Sequence, residues 1–473
     1  MMRALLALAL LAQVATAWAG TYYVTATGAG AQDGSSLGNA YAGLAAAFAG
    51  SFTADDTLCL DGTFTGTANQ QVSGIMLRAQ VSGSGSVTVY DGDCDGDGTR
   101  AVLDCDDAVG IGIRAYNGSA QSTDITVRNI EITQCTNKNI VTYASAGDET
   151  NDAQQTWQNI YSHDAGSGAA AGNCFDSRGR NITLDDSTVT DCDEDGVYHK
   201  GKYFSSTNLT CANPSRANSN GDCLQLAGEA DGYYVSGFDC DHTETDSKQC
   251  FIVSALTDTG AGGVLEDSDM RCYPGATTMN CAFVTGDGAR VRRIRTTGGN
   301  IGIAVEGSAT STNMDIGPVI ATGATTANIS VANGIGDNVR IGQWIADSGT
   351  DRGLSVSSAN TTLSIYDGIA TDNGGCGIYR GHASQVESHN DSSGNGDDFC
   401  VAGVPTSAGT GSMSADPKYI DGATPNTALG FRLKPNSPLI RAGTCYLSPG
   451  CVYPDYRGYR GRVPPDIGAY QRN

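Results

Sequence analysis

A short strand recurs along most of this chain, and that recurrence restricts the fold more than any other feature. From about residue 55, a turn residue (Gly, Asn, Asp or Gln) precedes a few strand-forming residues over and over. Examples are Gly110-Ile-Gly-Ile-Arg114, Asn139-Ile-Val-Thr-Tyr143, Asn173-Cys-Phe-Asp-Ser177, Gly196-Val-Tyr-His-Lys200, Asp222-Cys-Leu-Gln-Leu226 and Gln249-Cys-Phe-Ile-Val253, continuing to Gly377-Ile-Tyr-Arg380. Successive copies lie 22 to 34 residues apart, and many follow a second strand such as Asn181-Ile-Thr-Leu184. A period of this size marks a solenoid. Units rich in Gly, Thr, Ser, Val and Ile do not suit helical repeats, and propeller blades are longer and built from hairpins. Each unit is too small to bury a face alone, but stacking units ~4.8 Å apart buries a continuous core. The expected fold is all-β: a right-handed parallel β-helix of about 11 to 13 coils over residues 20–405. Ala-rich spacing over Asn39–Gly50 predicts a short N-terminal capping helix, and the break in pattern predicts an irregular extended cap over 406–473.

Acids exceed bases by 51 to 28, a net charge of −23. That argues against a nucleic-acid partner, whose phosphates need a basic surface. It leaves room for an anionic substrate, because a local cluster of cations or a bound metal can dominate one groove. Residues 1–19 read as a signal peptide: Arg3, the apolar run Ala4–Leu11, then Ala17-Trp18-Ala19. No other apolar run is long enough to span a bilayer, so an exported, soluble, monomeric protein is expected.

The 16 cysteines fit an oxidising compartment, and no Cys-x-x-Cys pair is present. Their places in the repeat put Cys211 near Cys223, Cys240 near Cys250 and Cys272 near Cys281 within single coils. Cys376 with Cys400, Cys445 with Cys451 and Cys94 with Cys105 are further local pairs. Cys59, Cys135, Cys174 and Cys192 are left with three possible pairings.

With these features in hand, the chain resembles the pectate-lyase-like superfamily of secreted β-helix proteins. Tyr22-Tyr-Val with Asp33-Gly-Ser-Ser36 resembles the usual opening of such chains, and Pro435-Asn-Ser-Pro-Leu with Asp466-Ile-Gly-Ala-Tyr the usual close. That resemblance implies the fold over nearly the whole mature chain; the scaffold hosts lyases, hydrolases, epimerases and adhesins. The Trp-Ile-Asp-His stretch of the main pectate lyases is missing, as is the full polygalacturonase set. Asp195-Gly-Val-Tyr-His-Lys200 is similar to the Asp-Gly-Phe-x-x-Lys stretch of a lyase family with a lysine base beside a calcium ion, and to the lysine–arginine pair of alginate lyase and chondroitinase B. The implied activity is β-elimination on an acidic, uronate-containing polysaccharide; a glycoside hydrolase and a non-catalytic glycan binder are the alternatives.

The stretch Asp191–Lys202 is the place to look for chemistry, because acids, an imidazole and two amines fall within it. β-Elimination needs a base for the proton beside the carboxylate and a neutraliser for that carboxylate. Lys200 is the expected base, with His199, Arg178 and Asp176 completing the reacting centre; a solvated lysine at a strand end would leave the same trace. Residues 199 and 200 point to opposite sides of a strand. With Val197 inward, His199, Asp176 and Gln225 form a buried polar ladder. With Val197 outward, they form an exposed row at a groove beside Arg178, and Leu224, Leu226, Phe251 and Val253 turn inward. The exposed row is the more economical, since buried charge needs a full set of partners. Arg114, Tyr143, Tyr198, Lys202 and Gln225 are the candidates for lining sugar subsites. Calcium has two candidate sites: Asp93-x-Asp95-x-Asp97-Gly98 with Asp104, and Asp191-x-Asp193-x-Asp195-Gly196.

Overall fold

The computed structural model describes residues 19–443 and 466–468, apart from 50–51, 53–54, 69, 80–87, 118–119, 167–171, 215–220, 243–248, 255–260, 307–311, 333–337, 358–362 and 422–427. The chain winds as a right-handed parallel β-helix. A typical coil has three short strands: Ser205–Thr207, Thr210–Ala212 and Leu224–Ala227. Each pairs in parallel with its counterparts above and below.

One residue bends the coil between its first two strands. It takes a positive φ, and Asn129, Asn159, Asp186, Asn208, Asp267 and Asp367 stand there. Asn and Asp tolerate this region because their side chains hydrogen-bond locally. Asn208 Nδ2 donates to Asp186 Oδ1 at 2.9 Å, and Asn159 Nδ2 to Asn129 Oδ1 at 2.7 Å. In two coils the strand runs straight through this bend, as Ile125–Thr133 and Asp152–His163. That joins the first two ladders into one 26-stranded sheet. The third ladder is a separate 14-stranded sheet from Ile75–Arg78 to Val404–Pro405, whose last strand turns back antiparallel.

Inward side chains fill the coil as stacked rows. Phe175, Val197, Leu224 and Phe251 form one such row, all buried. Helix Gly43–Ala49 covers the N-terminal end with Leu44 and Ala47 in the core. The C-terminal segment packs Tyr419, Phe431, Leu433, Leu439 and Ile467 onto the outward residues Ile320, Ile345 and Ile369. The leader expected over 1–19 lies, but for its last residue, outside the described residues.

Disulfides clip the coils. Cys211–Cys223, Cys240–Cys250, Cys272–Cys281 and Cys376–Cys400 form as the repeat predicts, and Cys174 bonds Cys192. The expected Cys94–Cys105 pair does not form; Cys59 bonds Cys94 and Cys105 bonds Cys135. The reason is stacking. Strand Thr57–Asp61 lies beside Thr88–Asp91, and Ala101–Asp104 beside Ile130–Thr133, so equivalent positions of adjacent coils come within disulfide reach. Cys445 and Cys451 lie outside the described residues.

Candidate functional site

The outer face of the 14-stranded sheet carries the groove, and its register decides which side chains face it. Asp176 lies beside Tyr198, Tyr198 beside Gln225 and Gln225 beside Ile252. One residue on, Ser177, His199, Leu226 and Val253 form an inward row, every one buried. Next, Arg178 and Lys200 point out again. Val197 and His199 therefore turn inward while Asp176 and Gln225 turn outward, which corrects both sequence-based arrangements by one residue.

Gly196 explains the slip. Cys174 N–H donates to Asp195 O, Phe175 N–H to Gly196 O and Val197 N–H to Cys223 O. Gly196 thus stands in the inward place that cysteine holds in neighbouring coils, and Asp195, not Gly196, is the turn residue. A Cβ on Gly196 would sit 2.8 Å from Cys223 O and 3.0 Å from Cys211 Sγ. Only glycine leaves room for the disulfide of the next coil.

His199 is consequently a core residue. Its Nδ1 is 2.9 Å from Ser177 Oγ and its ring centre 5.0 Å from that of Phe204. Burial pushes its pKa down to about 3, so the imidazole is neutral and cut off from the groove.

The groove, about 770 Å³, is lined by Lys138, Tyr143, Asp176, Arg178, Glu194, Asp195, Tyr198, Asp222 and Gln225, among others. Its most constrained part is a convergence on one carboxylate oxygen. Tyr143 Oη donates to Asp176 Oδ2 at 2.8 Å, and the Lys138 ammonium pairs with that same oxygen. Lys138 Nζ is also 3.3 Å from Tyr143 Oη. The Arg178 guanidinium lies 4.1 Å from the centre of the Tyr143 ring, a cation–π contact. Although it points outward, Asp176 is only 2% exposed because these groups cover it.

The charges follow from this packing. Burial disfavours the Lys138 ammonium, but the Asp176 carboxylate outweighs it and holds the pKa above the usual lysine value. Burial, reinforced by Asp176, raises Tyr143 above the ordinary phenol value, and the same two causes raise Tyr198. Asp195 is raised well above the usual carboxylate range by burial and by the neighbouring Asp222. Asp195 Oδ1 accepts the Asp222 N–H at 2.8 Å, and Asp222 Oδ1 the Gln249 N–H at 2.9 Å, so these acids also tie one turn to the next.

The remaining expected residues fall around this centre. Lys200 faces outward, but its Nζ is 2.7 Å from Glu149 Oε1, which also lies 3.6 Å from Arg178 Nη1. Glu149 is placed there by the 3-10 turn Ala146–Thr150, which Ser145 and Asp148 cap reciprocally. Lys202 turns away to pair with Asp231 and Glu229. Arg114 lies in the outward row beside Val141, stacked on Tyr116 at 4.7 Å. Tyr143 stands two residues beyond Val141, not level with Arg114. Of the calcium candidates, Asp93, Asp95 and Asp97 bring carboxylate oxygens within 4.8 Å of one another. Asp104 is not part of that group. Asp191, Asp193 and Asp195 form no such group among the described residues: Asp193 and Asp195 are buried, while Asp191 stays partly exposed.

Lys138 and Asp222 line the groove without having been singled out as site residues from the sequence. Lys138 itself stands in the turn place: Ile140 pairs with Phe175, which sets Lys138 level with Asn173 and the buried Asn139 level with Cys174.

No protein-family model and no curated protein matches the chain. Among solved structures it is similar to pectate lyase Pel9A, with 15% identity over 96% of this chain and 96% of that one and a TM-score of 0.39. The periplasmic alginate epimerase AlgG shares 9% identity over 76% and 75%, TM-score 0.35. The A-module of the Azotobacter vinelandii mannuronan C-5 epimerase AlgE6 shares 12% over 84% and 90%, TM-score 0.34. The fold itself is the parallel β-helix that the strand pairing shows. At these identities and scores the likeness carries nothing about reaction or substrate. No helix among the described residues is long and apolar enough to cross a membrane.

Proposed function

We propose that this is a secreted enzyme that cleaves an acidic, uronate-containing polysaccharide by β-elimination, with Lys138, Tyr143, Asp176 and Arg178 as its reacting centre. The observation that carries the reading is the phenol of Tyr143, hydrogen-bonded to a buried carboxylate and flanked by two cations at an open groove. Lys138 and Arg178 neutralise the substrate carboxylate, without which removal of the adjacent proton is too costly. Tyr143 in its ionised form, with the Lys138 ammonium beside its oxygen, takes the proton from the carbon beside the carboxylate. The C–H electron pair becomes the new C=C bond, the glycosidic C–O bond breaks, and the leaving oxygen collects a proton from Tyr143. Lys200, the base expected from sequence, is paired with Glu149 and takes no part in the chemistry in this reading.

The seven disulfides among the described residues fit the proposed secretion. A hydrolase is the second reading, favoured by one observation. Asp195, whose pKa burial and the Asp222 charge raise well above the usual carboxylate range, has the environment that a general acid requires. Purified protein incubated with pectate, alginate, chondroitin and ulvan decides between them. Ultraviolet absorbance of an unsaturated uronate marks elimination, new reducing ends without it mark hydrolysis, and neither result supports a binder.

A further inference from the structure

Three coils before Gln225's strand, the outward row of the groove sheet passes through Val141 and reaches two arginines. Arg114 lies beside Val141, and Arg78 directly beside Arg114, at the spacing of neighbouring strands, ~4.8 Å. Like charges placed opposite each other across strands repel. Burial and the Arg114 charge both push the Arg78 pKa down.

Neither guanidinium has a carboxylate partner among the described residues. Arg78 Nη2 donates to Val72 O at 3.3 Å, and Arg114 stacks on Tyr116. The Nε atoms of both are buried and unpaired. In the neighbouring coils Arg128, Lys138, Arg178, Lys200 and Lys202 each pair with an acid. The nearby undescribed stretches 80–87 and 118–119 contain no Asp or Glu. A chain of net charge −23 with acids to spare thus leaves two adjacent guanidiniums without a carboxylate, among the described residues, in the same outward row that carries Asp176.

We propose that Arg78 and Arg114 form an anion subsite that grips a carboxylate or sulfate ester of the polymer roughly two to three coil rises from Asp176. A pyranose unit is about as long as one coil rise, so the subsite lies two or three sugars from the reacting centre. Planar guanidinium forks suit either oxyanion. Tyr116, on which Arg114 stacks, pairs in a short hairpin with Gln121, which donates to the Arg178 carbonyl and so ties the two places together. This deepens the reading of the groove as an acidic-polysaccharide site and rests on it.

The test uses the Tyr143→Phe protein, so that ligand is bound without being consumed. Calorimetric affinities are measured for graded oligogalacturonates, oligoalginates and sulfated oligosaccharides. Arg78→Gln and Arg114→Gln should each weaken binding of oligomers long enough to span both places by about 10-fold, with no change for a disaccharide. Both variants should keep or raise the melting temperature, since a like-charge contact is relieved. Loss seen with sulfated oligomers alone identifies the group as a sulfate ester. Equal losses for short and long oligomers, no loss, or a fall in melting temperature overturn the subsite. If no oligomer binds but tripolyphosphate does, and the arginine variants weaken it, the polysaccharide reading fails and the anion subsite stands.

Discussion

Tyr143 Oη sits 2.8 Å from Asp176 Oδ2, although the two residues are 33 positions apart and belong to successive coils. A parallel β-helix makes such a contact almost automatically, because each coil lies one strand spacing above the last. What is particular here is the company. Lys138 reaches the same carboxylate oxygen and Arg178 covers the face of the ring.

Replacing Tyr143 with Phe removes only the hydroxyl. Turnover of the correct polysaccharide should fall by at least about 10²-fold, the worth of a positioned proton-transfer group. Stability should fall by only about 1 kcal/mol, since Lys138 still pairs with Asp176. Initial rates and thermal melts check both. Full activity in this variant would remove Tyr143 from the mechanism.

The pH dependence of the rate separates the two chemistries. Tyr143 titrates above the ordinary phenol value, so its basic form gains population as pH rises. An elimination that uses it should have kcat/KM climbing through neutrality and still climbing at pH ~9 to 10. A hydrolysis driven by protonated Asp195 runs the other way, because the acid form is lost as pH rises. A falling alkaline limb with reducing-end release would select the second chemistry.

The architecture was legible because it rests on periodicity, and the site was only half legible because it rests on register. Strand-forming runs behind Asn139, Asn173, Asp222 and Gln249 announce stacked coils with no knowledge of contacts. Choosing the faces needs the alignment of each coil to within one residue, and period 2 makes any slip a complete inversion. Gly196 resembles the turn residues of other repeats yet occupies a cysteine's inward place. That one substitution moved His199 from core to groove in the sequence reading. Asp176, Arg178, Tyr198 and Tyr143, singled out from the sequence, line the groove; Lys138, from the coil before, lines it too and was not singled out. The same limit applied to Cys59 and Cys105, whose partners are set by stacking between coils.

The core position of His199 has its own consequence. Its folded pKa of about 3 lies below the unfolded value of ~6.5, so the unfolded chain takes up the proton first. The stability that the neutral imidazole contributes is complete above pH ~6.5 and is lost progressively as pH falls toward 3. His199→Leu, which places beside Leu226 a residue of the same kind, should flatten that acid limb in melts at pH 4 to 6. An unchanged limb would mean that the ring is hydrated and titrates freely.

We propose Ca²⁺ binding at Asp93, Asp95 and Asp97, whose oxygens converge. Backbone N–H groups of Gly98 and Thr99 hold one oxygen each of Asp93 and Asp97, which leaves the other oxygens for an ion. Millimolar Ca²⁺ should raise the melting temperature, EDTA should reverse the rise, and Asp95→Asn should abolish it. A Ca²⁺-independent melt would leave the loop as a polar turn.

Asp391 makes the opposite pH statement from His199. It is fully buried under the C-terminal segment, with Oδ1 accepting the Ala415 N–H at 2.9 Å. Burial, helped by the Asp398 and Asp416 charges, pushes its pKa up to about 8, above the unfolded value of 3.8. The folded state therefore holds the proton more tightly, so this contribution is complete below pH ~3.8 and is lost as pH rises through about 8. Asp391→Asn keeps the shape and removes the charge. It should stabilise the protein by roughly 2 to 5 kcal/mol at pH 9 and by nearly nothing at pH 4. Denaturant unfolding at the two pH values measures the difference directly. An equal effect at both, or destabilisation at pH 9, would show that the carboxylate is ionised and satisfied where it lies.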